Sequence, residues 1–183
     1  MKTYYELSAK LNHNILKIEP NEPCEERYDF LTRTTQKMLP KSMRFFVKKG
    51  KQKADIIFIY PDISCEFFSQ NLIDVLSKFM DMSDKCYPIN IEGIDEKYYV
   101  IYNLKGYEFF NRKEHFFKGE PTLFLNEGGS TPPLFTYYRA LSLVVSEEIK
   151  QEIEKQKLKY IQFKRVFSYS KPEYEAWKKF WVK

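Results

Sequence analysis

The chain is poor in the residues that most enzyme chemistry needs. It holds two histidines, His13 and His115, and three cysteines, Cys24, Cys65 and Cys86. Neither histidine stands in an HExxH or similar spacing, and there is no calcium-loop pattern. The cysteines are far apart, odd in number and form no CxxC pair. That argues against a disulfide framework or a cysteine metal site and leaves free thiols. Glycine is scarce as well, at six residues. The Gly-rich stretch "EGGST", residues 127–131, lacks the GxxxxGK[ST] order, so no lysine follows to reach a phosphate. No GxSxG elbow offers a nucleophile to His115. Glu147, Glu148 and Glu152 share a helical stretch, but a di-metal bundle would need partner histidines that are missing. The expectation is no catalytic residue, no cofactor and no metal.

Long apolar runs are also absent. The longest, "ADIIFIY" and "YYVIYNL", are of strand length, well short of the roughly 18–20 residues that span a bilayer. The first twenty residues mix charges with apolar side chains and lack the continuous apolar core of a secretory signal. A cytoplasmic protein with no membrane partner is expected.

Aromatics and basic charge are abundant. There are 16 Phe and 14 Tyr, which favours strands and recognition surfaces. The net charge of +5 is unevenly spread: residues 1–53 carry 12 Lys/Arg against 6 Asp/Glu, residues 54–154 carry 9 against 17, and residues 155–183 carry 9 against 2. The middle is therefore acidic and both ends are basic. The stretch "KMLPKSMRFFVKKGKQK", residues 37–53, holds seven basic residues and no acid. Its chemistry suits phosphates, an acidic partner or plain solvent. Phe45 and Phe46 among these cations give a weak nucleic-acid pattern, since a strand with a core face and a basic outer face looks the same.

The residue pattern predicts strands at "TYYEL", "MRFFVKK", "KADIIFIY", "CYPINIEG", "KYYVIYNLKGYEFF", "YYRALSLVV" and "KYIQFKRVF". Turns are expected around Gly50 and at Gly93–Glu96, and "YDFLTRTTQKML" has the pattern of a short helix. In "DISCEFFSQNLIDVLSKF", Ser64 is placed as an N-cap with Glu66 in the first turn. Phe68, Leu72, Val75, Leu76 and Phe79 then form one apolar face of a helix running to about Met80. The same device recurs at "VVSEEIKQEIEK", with Ser146 as cap and Glu147 and Glu148 serving the helix dipole. On that basis Ser146→Ala should cost about 0.5–2 kcal/mol. Ser170 and Glu173 form a capping box for a terminal helix carrying Tyr174, Trp177 and Trp181. The fold class expected is α+β, a mixed and largely antiparallel sheet with a few packed helices, in a single domain. Within it, residues 1–53 read as a basic N-terminal segment packed on the domain, 54–167 as the α+β core and 168–183 as a C-terminal amphipathic helix.

Three stretches carry a resemblance: "DISCEFFSQNLIDVL", "CYPINIEGIDEKYYVIYNL" and "LSLVVSEEIKQEIEKQKLKYIQFKRV". In their order and in the helix start Val145–Ser146–Glu147–Glu148, residues 54–167 resemble the bacterial immunity proteins encoded beside polymorphic toxins, the group known as immunity family eleven. The chain departs from that family in "KGYEFFNRKEH", which lacks the family's Asp and Ser, and at Lys159–Tyr160, where the family often has a glycine. The resemblance implies a protein without catalysis, which binds a cognate toxin and neutralises it. Partner-binding candidates are Tyr137, Tyr138 and Arg139, with Arg44, Lys48 and Lys49 of the basic stretch, because Tyr and Arg are common interface anchors. The alternative is a basic nucleic-acid-binding accessory protein.

Overall fold

Among the described residues, stretches rich in β-branched and aromatic side chains pair into two sheets, and two short amphipathic segments form helices beside them. The computed structural model describes residues 3–10, 12–21, 38–61, 66–107, 116–117, 120–124, 131–137 and 142–169. In chain order these form β1 (Tyr4–Ala9), β2 (Lys17–Pro20), β3 (Phe45–Lys49), β4 (Ile56–Ile59), β5 (Glu66–Ser69), α1 (Gln70–Ser77), β6 (Cys86–Ile89), β7 (Ile91–Glu92), β8 (Tyr98–Ile101) and β9 (Gly106–Tyr107). They continue with β10 (Phe116–Phe117), β11 (Glu120–Phe124), β12 (Leu134–Tyr137), β13 (Leu143–Ser146), α2 (Glu147–Lys155) and β14 (Ile161–Tyr169).

The first sheet runs β10-β11-β14-β1-β13-β12-β9 and the second β6-β8-β5-β4-β2-β3-β7. Pairing is antiparallel except for β11 with β14, β12 with β9, β2 with β4 and β3 with β7. One apolar cluster joins both sheets and both helices, with Leu7 and Val145 from the first sheet, Ile57 and Phe67 from the second, and Leu76 and Ile153 from the helices. Burying each such side chain stabilises the fold by about 1.5–3 kcal/mol. The molecule is therefore an α+β single domain, mostly sheet.

The boundary expected at residue 53 cuts through this core. β1 is an inner strand of the first sheet, and β2 and β3 are inner strands of the second, so the described part of 1–53 is woven into both sheets. Gly50 ends β3 with φ +78°, and a Cβ there would lie 2.1 Å from the carbonyl oxygen of Ile15. Only glycine fits that turn. Residues 168–169 belong to β14, and the helix expected beyond them lies outside the described residues.

A topological repeat accompanies the repeated serine motif. In the second sheet, hairpin β4–β5 leads through Ser69 into α1, and the chain returns as β6, leaving room for β8 between β5 and β6. In the first sheet, hairpin β12–β13 leads through Ser146 into α2, and the chain returns as β14, with β1 between β13 and β14. The inserted strand is local in one unit and comes from the start of the chain in the other, which is why no tandem repeat is visible in the sequence.

The first serine motif lies elsewhere than expected. Glu66–Ser69 is a strand, paired Ile56 to Phe68 and Ile57 to Phe67, and the helix begins at Gln70 with Ser69 as its cap. Phe68 falls in helical register with Leu72, but Phe67 and Phe68 are both fully buried, on opposite faces of the sheet. Pairing with β4 overrides the helical period. The helix ends at Ser77 rather than Met80. Ser64 lies outside the described residues. Glu66 is no dipole partner: it is a buried strand residue whose carboxylate accepts the N–H of Ala9 at 3.2 Å, linking the two sheets.

Candidate functional site

Strand β3 carries the basic candidates. Its burial falls steadily along its length, from Phe45 in the core to exposed Val47, Lys48 and Lys49. β7 pairs only with Phe45 and Phe46, so on that side the backbone edge of Val47–Lys49 has no strand beside it among the described residues. Lys48 pairs with Glu19 across β2 at 3.2 Å. Arg44 and Lys49 form no ion pair among the described residues. Val47 pairs with Ile18, and the Tyr60 N–H donates to the Ile18 carbonyl, so the exposed apolar residues Val47 and Tyr60 flank the same residue of β2.

The tyrosine candidates are not brought to this edge. Tyr137 ends β12 in the other sheet, where it pairs with Tyr107. Tyr138, Arg139 and His115 lie outside the described residues, as do Cys24 and Cys65. His13 is exposed on a cavity of about 590 Å³ beside Lys10, Asn12 and Tyr160, with no serine or cysteine in its lining. Burial pushes the Cys86 thiol up, and its sulfur donates to the Met82 carbonyl at 3.3 Å. A thiol held protonated is a poor nucleophile. Among the described residues no three His, Cys, Asp or Glu side chains cluster as a metal site would require. No described helix is long and apolar enough to cross a membrane.

A second feature escaped the sequence reading. A cleft of about 720 Å³ opens where the start of β4 and the cap of α1 meet the loop between α2 and β14. At its floor the buried Asp55 carboxylate accepts the Ser69 hydroxyl at 2.5 Å and the Lys159 N–H at 2.6 Å. Ser69 in turn accepts the Leu72 N–H at 3.2 Å, capping α1. One carboxylate therefore ties a helix start to a loop of the other sheet. Next to it the Tyr98 phenol donates to the Ala54 carbonyl at 2.9 Å. Burial, with the charges of Glu96 and Asp55 behind it, pushes that phenol up to about 12, so it stays a neutral donor. At the rim Lys53 pairs with Glu96 at 2.5 Å and holds that carboxyl below its usual range.

The sequence signal for this arrangement is faint. Asp55 stands at the start of a strand and Ser69 inside an apparent helix. Only the pairing of β4 with β5 makes them neighbours.

No protein-family model matches the chain, and no curated protein matches it.

Proposed function

We propose that the chain is an immunity protein, which binds a cognate bacterial toxin in the cytoplasm and neutralises it by occlusion, without chemistry of its own. The supporting observation is the open edge of β3: among the described residues, no strand lies beside the Val47–Lys49 backbone on that side, Val47 is exposed, and the cations Arg44 and Lys49 form no ion pair. Lysines on a strand edge discourage self-association and pairing with neutral strands. They leave an acidic extended segment as the favoured guest, held by main-chain hydrogen bonds and by charge. The resemblance of residues 54–167 to immunity family eleven supplies the kind of partner. The test is co-expression with the toxin encoded beside it. The wild type should rescue growth and co-purify with the toxin. Arg44→Glu with Lys49→Glu should weaken capture by at least tenfold, with an unchanged unfolding midpoint. Undiminished capture by the reversed edge would remove β3 from the reading, and failure to rescue would remove the function.

The same cations, Arg44 and Lys49, favour a second reading, a nucleic-acid accessory protein. It requires binding to unrelated DNA or RNA that weakens steeply with salt, and absence of binding at low salt would dismiss it.

A further inference from the structure

The loop after α2 holds a lysine where glycine would be unstrained. Gln156 caps the helix, the Lys157 N–H donates to the Glu154 carbonyl at 3.1 Å, and the Leu158 N–H donates to the Ile153 carbonyl at 3.4 Å. This is a Schellman ending, whose left-handed residue is usually glycine. Here Lys157 occupies it at φ +55°, a conformation that crowds any Cβ.

Lys157 lines the junction cleft with Lys97 and Lys159, all three exposed. None of the three forms an ion pair among the described residues. The acids of the same cleft are taken: Glu96 by Lys53, and Asp55 by the Ser69 hydroxyl and the Lys159 N–H. Counting Lys53, Lys97, Lys157 and Lys159 against Asp55 and Glu96, four minus two, the lining carries +2. Tyr160 of the same loop is left-handed as well, at φ +59°, but of the two only Lys157 lines this cleft. A left-handed lysine, beside cations with no ion pair among the described residues in an open cleft, is what a ligand contact would explain.

We propose that this cleft binds an oxyanion, a phosphate or carboxylate group held by the ammonium groups of Lys97, Lys157 and Lys159. The strained loop fixes one of these cations at the cleft, and a glycine would free the backbone only by deleting the charge. The site is separate from the β3 edge and stands whether or not the immunity reading holds.

Calorimetric titration at low salt with two probes, sodium pyrophosphate and a hexaglutamate peptide, tests the proposal. Saturable binding of either is expected, weakened roughly five- to tenfold for each lysine removed and further weakened by salt. Lys97→Gln with Lys159→Gln should lose binding and keep the unfolding midpoint. Lys157→Gly should weaken binding and raise the midpoint, a pairing that a merely solvated lysine would not produce. Preference for pyrophosphate identifies a phosphate-bearing ligand, and preference for the peptide identifies carboxylates on a protein. If neither probe binds, or if binding survives the double variant unchanged, the site does not exist as proposed. A Lys157→Gly protein that is more stable but binds as before likewise overturns the role given to that lysine.

Discussion

The two strand–serine–helix units share a topology and nearly the same backbone at the cap: Ser69 at φ −63°, ψ 159° and Ser146 at φ −72°, ψ 165°. Their hydroxyls nevertheless do different things. Ser69 accepts the Leu72 N–H and donates to Asp55, whereas the buried Ser146 hydroxyl has no partner among the described residues. The helix after Ser146 is secured by other means. Glu147 and Glu148 lie in its first turn, where α1 has no acid, and the Glu147 N–H donates to the Thr3 carbonyl at 3.1 Å. The Tyr5 hydroxyl donates to the Glu147 carboxylate at 2.5 Å, which lowers the pKa of that carboxyl, and the Lys150 ammonium stands 5.0 Å from the Tyr5 ring centre. Backbone geometry thus sets where a cap residue stands, while its neighbours decide whether its side chain is needed.

That contrast is broken most severely at Asp55. Asp55→Ala removes the acceptor for both the Ser69 hydroxyl and the Lys159 N–H in a buried setting. It should lower stability by about 3 kcal/mol in urea unfolding. A loss below about 1 kcal/mol would mean that water replaces the carboxylate and the junction is not a staple. Ser69→Ala should cost about 1–2 kcal/mol, because a cap bond and a bond to Asp55 vanish together. In an Asp55→Ala background the same change should cost measurably less, since the two residues share one network.

Strands β1, β3, β4 and β14 are legible from the sequence, as are the turn glycines Gly50 and Gly93, both at positive φ. Two expected strands divide instead: "KYYVIYNLKGYEFF" gives β8 in the second sheet and β9 in the first, with Asn103 at φ +51° between them, and "CYPINIEG" gives β6 and β7 at opposite edges of the second sheet. Helix α2 was legible too, because its acids, apolar face and terminal lysine agree with one another. The start of α1 was not, since "EFFS" carries helical spacing and strand composition together and only β4 decides between them. β2 was missed because four residues with a lysine, a glutamate and a proline carry little strand signal. Of the candidate partner residues, Arg44 stands just before β3, and Lys48 and Lys49 stand on its exposed C-terminal half. The junction cleft was illegible because Asp55, Ser69, Lys97 and Lys157 come from four separate segments.

The two helices also touch, and that contact gives a smaller effect. Lys78, which caps α1, reaches Glu152 of α2 at 2.6 Å. Its ammonium, helped by Gln156, holds the Glu152 carboxyl at about 2. A depressed folded-state value contributes stability that is present above the unfolded value of about 4.3 and is lost as pH falls through the folded one. Lys78→Met should therefore flatten the pH dependence of the unfolding midpoint between about pH 4.3 and 2, with little change near pH 7, since the pair is at the surface. An unaltered acid limb would show that the two helices are not coupled by charge.

The smallest effect expected is at Ser146. Its place before a helix and two glutamates argues from sequence for a cap worth about 0.5–2 kcal/mol. With no partner for the hydroxyl among the described residues, Ser146→Ala removes a buried polar group that makes no hydrogen bond there, and stability should stay within about 0.5 kcal/mol of wild type or rise slightly. Measured beside Ser69→Ala under identical conditions, the pair isolates the hydroxyl's contribution from the shared backbone geometry. Equal losses at the two serines would mean that the Ser146 hydroxyl turns to cap its helix in solution, and the difference drawn between the two units would collapse.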